Sequence, residues 1–276
     1  MSFYEYGEID RHSWWIRDIF GNYCYCLEGN GQAALIDTGI GLPGLDVLVK
    51  ELVHEPVNVI LTHGHLDHIG GSGLWENVWI YEADNEIRKK HQSPEYRRII
   101  RELSDETGIK ISEENMKSCV FMCAPEKVHF LEEGLYEFGG RELEVIYTPG
   151  HTAGSICLFE RKTQRLFTGD TVCEKRVMLS FPESLSPGIY KKSIGKLLGY
   201  SEDISEIYSG HNRNPIEKTY LDQYGQCADA VEKNLEELSV RFETSVFGKC
   251  RVCKKGSVEL TMPIRKENEN EKSNFV

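Results

Sequence analysis

The stretch Thr62-His63-Gly64-His65-Leu66-Asp67-His68-Ile69-Gly70-Gly71 places three of the nine histidines of the chain, together with an aspartate, within six residues. It follows the apolar run 57–61, which predicts a buried strand. A glycine-containing loop at the end of a strand can turn several side chains toward one point, which a regular helix or strand could not do at this spacing. Neutral imidazole and carboxylate groups are suitable ligands for Zn²⁺, and also for Fe and Mn. The stretch therefore predicts a metal site.

Three further candidate ligands lie downstream, each just after a predicted strand. His151 occupies a Pro/Gly turn, Asp170 follows a strand and a glycine, and His211 follows the pair Ser209-Gly210. Taken alone, a histidine or an aspartate next to glycine is common in turns. Together the three favour one shared site, because α/β folds collect functional residues on the loops at strand ends.

The sequence around these candidates alternates between predicted strands and helices. Apolar residues recur at helical spacing over residues 44–54, and a long helix is predicted over residues 217–238. The charged region at about residues 82–126 predicts a helical insertion, either a solvated surface excursion or a lid over a site. Short strands are predicted at residues 23–27, 33–36, 57–61, 78–81, 127–131, 135–138, 142–148, 156–160 and 165–168.

Composition limits the partners and the compartment. The 276 residues include 32 Lys and Arg against 44 Asp and Glu, a net charge of −12, which disfavours nucleic acid and membrane surfaces as partners. No apolar run approaches the roughly 20 residues that a membrane helix needs. The first residues lack the pattern of a signal peptide, and nine scattered cysteines suit reduced thiols. We therefore expect a cytoplasmic protein that acts on a small molecule; the sequence does not define its oligomeric state.

The domain organisation predicted from the sequence is simple. We expect one α/β domain over residues 1–243 and a C-terminal extension over residues 244–276, which ends in the polar tail 266–272. Cys250 and Cys253 form a lone Cys-x-x-Cys pair in this extension. A zinc site would need two more ligands nearby in the sequence, so we expect both cysteines to be free thiols.

These motifs resemble those of the metallo-β-lactamase superfamily. The resemblance depends on the run 62–71, on the upstream turn Leu35-Ile36-Asp37-Thr38-Gly39, and on His151, Asp170 and His211 in that order. It spans roughly residues 23–211, which is most of the chain. It implies an α/β fold, a four-layered αββα sandwich with a helical insertion and a dinuclear metal site at one edge.

The resemblance also implies a role for each candidate ligand. Two divalent metal ions would be bound, most simply zinc, with manganese or iron as alternatives. Asp37 would orient the metal-binding loop. The first group of ligands, which would hold one ion, is His63, His65 and His151. The second group, which would hold the other ion, is Asp67, His68 and His211. Asp170 would bridge the two ions.

A bridging carboxylate is typical of the glyoxalase II-like thioesterases and the lactonases of this superfamily. The resemblance therefore implies hydrolysis of a small ester, thioester or lactone, with a hydroxide held between the two metal ions as the nucleophile. Asp67 or Asp170 would pass a proton to the leaving group. Lactonase relatives contact the substrate through a tyrosine shortly after the bridging aspartate; Cys173 occupies that region here, and Tyr190 is the alternative contact.

Two other activities remain open. Persulfide dioxygenases of the same superfamily are mononuclear iron enzymes that use the equivalents of His63, His151 and Asp170. The intact second group of ligands weighs against this activity. Phosphodiesterases similar to ribonuclease Z share much of the ligand set, but the acidic chain offers no basic stripe for RNA.

Overall fold

The first sheet contains the strand that leads into the His-rich loop. The computed structural model describes residues 2–93, 96–119, 124–245 and 247–264. The first four strands of this sheet are antiparallel neighbours, whereas the fourth to the seventh run parallel, so that their carboxyl ends share one edge. In chain order the strands are β1 (Tyr4–Asp10), β2 (Ser13–Asp18), β3 (Tyr23–Glu28), β4 (Ala33–Ile36), β5 (Val57–Ile60), β6 (Asn77–Tyr81) and β7 (Val128–Leu131).

A second sheet faces the first. Its strands are β8 (Gly134–Phe138), β9 (Arg141–Tyr147), β10 (Ile156–Glu160), β11 (Arg165–Gly169) and β13 (Glu206–Ser209). Their spatial order is β13-β11-β10-β9-β8, in which β11 and β13 are parallel and the other neighbours are antiparallel. The apolar side chains that meet between the two sheets include Leu27, Ile36, Ile60, Leu143, Leu158 and Phe167.

Helices cover the outer faces of both sheets. Leu45 and Val49 belong to the core on the outside of the first sheet, and Ile194 and Leu221 to the core on the outside of the second. The predicted α/β fold of the four-layered αββα type is confirmed. The helices are α1 (Leu45–Leu52), α2 (Leu66–Ile69), α3 (Asn85–His91), α4 (Arg97–Thr107), α5 (Glu113–Ser118), α6 (Pro187–Leu198) and α7 (Thr219–Lys233).

The predicted helical insertion contains α3, α4 and α5. It is not a purely solvated surface excursion, because Ile100 of α4 is completely buried and His91 of α3 is 8% exposed. The long helix predicted over 217–238 ends earlier, at Lys233, since Asn234 adopts a left-handed conformation with φ of 51°. None of the helices in the described part of the chain combines the length and the apolar character needed to cross a membrane.

A third, smaller sheet was not predicted. It comprises β12 (Arg176–Met178), β14 (Ser239–Ser245), β15 (Gly248–Lys255) and β16 (Val258–Pro263), in the order β12-β16-β15-β14. Val258, Leu260 and Met262 of β16 are buried in the core that also contains α6 and α7. The predicted boundary at residue 243 falls within β14, and the polar tail 266–272 lies outside the described residues.

Candidate active site

The His-rich loop begins where β5 ends, at the edge of the first sheet. His63 and His65 lie in the irregular turn after β5, and Asp67 and His68 belong to the short helix α2. Irregular backbone followed by a single helical turn brings four side chains of one segment to the same place. Of these four residues, the three histidines are buried.

The other three predicted ligands approach from the second sheet. His151 lies between β9 and β10, Asp170 follows β11, and His211 follows β13. Glycine is required at Gly210 beside them, because a Cβ there would lie 2.6 Å from Asp170 Oδ1 and from a carbon of the His68 ring. The two sheets therefore meet closely enough for all seven predicted ligands to form one cluster.

The first group of predicted ligands is compact. His65 Nδ1 lies 2.9 Å from His151 Nε2. The centroid of the His63 ring lies 4.8 Å from that of His65 and 4.7 Å from that of His151. One ligand nitrogen of each residue lies within 4.8 Å of the others, a spacing compatible with binding of a single ion.

The second group adjoins the first through Asp170. His211 Nε2 lies 3.2 Å from Asp170 Oδ1 and 3.3 Å from Asp67 Oδ2. His68 Nε2 is 3.4 Å from the same Oδ1 of Asp170. The other oxygen, Oδ2, is 3.6 Å from His151 Nε2. One oxygen of Asp170 thus faces each group, which is the position that a bridging carboxylate needs.

Hydrogen bonds on the far side of the rings orient two of the histidines. His68 Nδ1 donates to Asp37 Oδ2 at 2.7 Å. The Thr62 hydroxyl donates to the same Asp37 oxygen at 2.8 Å, and its own oxygen lies 3.1 Å from His63 Nδ1, which therefore donates to it. Both rings present Nε2 to the cluster, and these two buried nitrogens have no hydrogen-bond partner among the described residues. Asp37 holds the loop in the position expected from the resemblance.

His151 is oriented in the same way by the main chain. Its Nδ1 donates to the carbonyl oxygen of Met178 at 2.6 Å, so the neutral ring has its lone pair on Nε2, toward the cluster. A divalent transition metal binds imidazole nitrogens and carboxylate oxygens. Buried imidazole nitrogens without a hydrogen-bond partner, next to carboxylates, are therefore suitable ligands. The side chains present therefore fit a metal ion.

The two groups of predicted ligands differ in their charge states. Burial lowers the pKa of His63 and His65 to well below the usual range and also lowers the pKa of His151, so these rings are neutral. In the second group burial is opposed by opposite charges. Asp170 raises the pKa of His211 to about 10, and His211 with His68 holds the pKa of Asp170 well below its usual range.

A family model settles the relationship of the chain to known proteins. The model described as "Metallo-beta-lactamase superfamily" matches residues 17–211. The chain belongs to this superfamily. It is a metal-dependent hydrolase of the metallo-β-lactamase fold, and the predicted resemblance is confirmed.

Similar curated proteins of the superfamily include two thioester hydrolases. The human acyl-coenzyme A thioesterase MBLAC2 is 26% identical over 203 residues, which cover 67% of this chain and 72% of that protein. The hydroxyacylglutathione hydrolase GloC of Haemophilus influenzae is 27% identical over 181 residues, which cover 65% of this chain and 80% of that protein.

Solved structures share the fold at lower identity. A metallo-β-lactamase from Pontibacter korlensis has a TM-score of 0.60 at 18% identity, over 82% of this chain and 99% of that chain. The sec-alkylsulfatase Pisa1 from a Pseudomonas species has a TM-score of 0.65 at 16% identity, over 84% of this chain and 42% of that chain. These likenesses show the fold alone.

Asp84 is a buried residue of this metallo-β-lactamase site that the sequence analysis missed. Its carboxylate accepts hydrogen bonds from the Gly64 amide at 2.7 Å and from the Thr152 hydroxyl at 2.6 Å, and also from the Gly154 amide. Gly64 lies between His63 and His65, and Thr152 adjoins His151, so one carboxylate ties together the two loops of the first group. Its only sequence signal is an acid just after a predicted strand.

His91 of the insertion is a second missed residue. Its ring stacks on that of His65, with centroids 5.1 Å apart and planes at 15°. Its Nδ1 accepts a hydrogen bond from the Leu66 amide at 3.2 Å, which leaves the proton on Nε2, 3.6 Å from Glu183 Oε1. The ring of His91 thus packs against one face of the His65 ring and supports it.

Two substrate-contact candidates from the sequence behave differently in the structure. Tyr190 is completely buried, its hydroxyl donates to the Thr171 carbonyl, and it does not line the cavity at the cluster, so the expectation that it contacts substrate is wrong. Cys173 is buried as well, with its sulfur 4.0 Å from Asp170 Oδ1, and burial raises its pKa well above the usual range. Cys250 and Cys253 are free thiols, as predicted.

A cavity of about 890 Å³ opens on the cluster. Five of the seven predicted ligands line it, namely His65, Asp67, His151, Asp170 and His211. The insertion contributes one wall, through residues of α3 and α4, and the third sheet contributes another, through β12, β15 and β16. Of the two interpretations of the insertion, the one that places it over a site agrees with the structure.

Proposed function

We propose that this chain hydrolyses acyl thioesters with the help of two divalent metal ions. Zinc is the proposed metal, and manganese and iron are the alternatives. The proposal rests on the position of Asp170, whose two oxygens each face one complete group of ligands. The names of the human and Haemophilus relatives, both thioester hydrolases, support the thioester over the ester and the lactone.

The proposed ligand assignment uses all seven side chains. His63, His65 and His151 hold the first ion; Asp67, His68 and His211 hold the second; and Asp170 lies between them. When bound, such a pair of ions lowers the pKa of a water molecule toward about 7 and polarises the substrate carbonyl. The hydrogen bonds of His63, His68 and His151 hold their Nε2 atoms toward the cluster before any ion arrives, so binding requires little rearrangement of these rings.

Thioester hydrolysis also requires movement of one proton. Hydroxide adds to the carbonyl carbon, the carbon–sulfur bond breaks, and the departing sulfur takes up a proton. Asp67 is the better placed carboxylate, since its side chain is 32% exposed and lines the cavity, whereas that of Asp170 is 14% exposed. His68 and His211 hold the pKa of Asp67 below its usual range, so its carboxylate is ionised; it would relay the proton from water to the departing thiolate, a stronger base than itself, and would not retain it.

The second group of ligands distinguishes this proposal from a mononuclear iron dioxygenase. Such an enzyme needs only His63, His151 and Asp170. Here Asp67, His68 and His211 also lie with their ligand atoms within 4.8 Å of one another. A second ion would therefore have three candidate ligands of its own.

The first experiment combines a metal count with an assay of hydrolysis. We expect close to two zinc or manganese ions per chain by elemental analysis, and release of free thiol from an acetyl or butyryl thioester. Replacing His65→Ala should lower kcat/KM by at least about 100-fold and reduce the metal content. The matched control is His54→Ala, an exposed histidine after α1, which should change neither.

Two results would contradict the proposal. Full activity in a folded His65→Ala protein, with folding checked by circular dichroism, would remove the cluster from catalysis. One iron per chain with thiol-dependent oxygen uptake would identify the dioxygenase instead.

A further inference from the structure

We propose that the acyl group of the substrate is an apolar chain and that α4, in the insertion, forms the wall that selects its length. The inference rests on thioester hydrolysis as the function and adds the substrate class. The names of the relatives leave this point open, because one acts on acyl-coenzyme A and the other on hydroxyacylglutathione.

The cavity extends from the cluster to α4. Ile99 and Leu103 of α4 line it, as does Leu66, which lies between the predicted ligands His65 and Asp67. Residues four apart lie on the same face of a helix, so Ile99 and Leu103 form one short ridge beside the cavity. The next residue, Ile100, is completely buried in the core outside the first sheet, and fixes the helix there.

The apolar surface on this side of the cavity is continuous with that core. Ile99 and Leu103 are half-buried and pack against its edge, so part of each side chain remains in contact with water. An apolar ligand that covers such side chains is stabilised by the removal of that surface from water. The apolar lining side chains on this side are Phe20, Ile40, Leu66, Tyr96, Ile99 and Leu103.

The charged side chains on the same side are compensated within the protein. Each cation that lines the cavity here has a carboxylate partner, and the pairs are Arg17 with Glu5 at 3.6 Å, Lys90 with Glu183 at 3.0 Å and Arg98 with Glu102 at 2.7 Å. An anionic acyl group would therefore find no cation without a carboxylate partner on this wall, where Arg17 Nε is a buried donor that has no hydrogen-bond partner among the described residues. An uncharged hydrocarbon chain is the occupant that this wall suits.

The wall formed by the third sheet differs in its unpaired cations, although Met178 of β12 and Phe247, between β14 and β15, also line the cavity there. Lys175 and Lys254 line the cavity there, and neither ammonium group has a carboxylate within 4.0 Å in the described part of the chain. The polar thiol part of the thioester is therefore assigned to this wall, and the acyl chain to α4.

The test is a series of thioesters that share one small neutral thiol and differ only in acyl length, from two to twelve carbons. With the zinc-loaded wild-type protein, kcat/KM should rise about two- to fourfold per added methylene until the α4 side of the cavity is filled. Leu103→Trp should fill that side, so the loss of kcat/KM should be at least about tenfold larger for the longest chains than for acetyl. The control is Leu135→Trp on β8, an exposed position that does not line the cavity, which should leave the length profile unchanged.

Each outcome decides between defined alternatives. A flat length profile in the wild type, or a preference for a hydroxyacyl over an alkanoyl thioester, would overturn the apolar acyl site while leaving thioester hydrolysis intact. An unchanged profile in a folded Leu103→Trp protein would remove α4 from acyl selection. Hydrolysis of no thioester at any length would overturn the proposed function itself. If Leu103→Trp does not fold, the wild-type profile alone still tests the substrate class.

Discussion

At the scale of single residues, the site depends on side chains that hold the ligands from behind. Asp37 accepts three hydrogen bonds, from the Thr62 amide at 2.7 Å, from the Thr62 hydroxyl at 2.8 Å and from His68 Nδ1 at 2.7 Å. Its backbone is left-handed, with φ of 60°, a conformation that costs free energy for a residue other than glycine. The carboxylate contacts offset that cost, and the loop is fixed before substrate binds.

Asp84→Asn tests the same kind of support in the first group of ligands. An amide nitrogen cannot accept the hydrogen bonds that the Asp84 carboxylate receives from Gly64, Thr152 and Gly154, so at least one buried donor loses its partner. We expect the free energy of unfolding to fall by about 1–3 kcal/mol. The affinity for zinc should weaken about 10- to 100-fold, since the loops of His63, His65 and His151 lose their common anchor.

Chemical denaturation and a competitive zinc titration measure these two effects. Asp222→Asn, an exposed aspartate on α7, is the matched control and should change neither quantity. Wild-type zinc affinity in the Asp84→Asn protein would show that the two loops hold their positions without this carboxylate.

The sequence selected four of the seven candidate ligands through the spacing of the His-rich run, and the other three through their position after predicted strands and the resemblance. Asp84 and His91 lie in the insertion, where no motif surrounds them. Their proximity to the cluster depends on how α3 packs against the loop after β5, which is a property of the tertiary structure. A single sequence therefore could not predict that Asp84 and His91 lie beside the cluster.

At the scale of elements, the apolar runs and the helical spacing predicted most of the central strands and the helices α1 and α7, whereas α6 was not predicted. The first two strands and the third sheet were not predicted from the sequence. β1 is an edge strand with exposed Glu5 and Glu8, and β14 is exposed over nearly its whole length, so neither shows the apolar pattern of a buried strand. Their stability comes from pairing with a neighbouring strand, which local sequence does not reveal.

Two shortened chains test whether the third sheet belongs to the domain. A chain that ends after residue 243 loses the buried side chains of Val252, Val258, Leu260 and Met262. Each contributes about 1.5–3 kcal/mol by burial, so the total approaches the whole stability of a typical domain, about 5–15 kcal/mol. We expect this chain to lack a cooperative thermal transition.

The control is a chain that ends after residue 264, which keeps all of β16 and should unfold at the wild-type temperature. Differential scanning calorimetry compares the two. A cooperative transition at the wild-type temperature in the chain that ends after residue 243 would instead separate residues 244–264 from the folded domain, in agreement with the predicted boundary at residue 243.

At the scale of the whole molecule, the charge is distributed unevenly with respect to the cavity. The chain has a net charge of −12, yet the wall formed by the third sheet presents Lys175 and Lys254 without carboxylate partners within 4.0 Å in the described part. An acidic protein repels an anionic ligand at long range. Local cations at the cavity would therefore be needed to bind a substrate whose thiol part has phosphate groups.

The double replacement Lys175→Ala and Lys254→Ala tests this role of the third sheet. For an acyl-coenzyme A thioester, KM should rise about five- to tenfold, because each exposed cation contributes about 0.5–1 kcal/mol to the binding of an anion. For the thioester of a small neutral thiol the change should be smaller. In the wild type, KM for the coenzyme A thioester should also increase with ionic strength, since salt screens charges at separations beyond about 10 Å at 0.1 M. The double variant should lose most of that dependence.

Lys162→Ala, an exposed lysine between β10 and β11, is the control for a simple change in net charge. Equal effects on the charged and the neutral thioester would show that the two lysines do not contact the thiol part of the substrate.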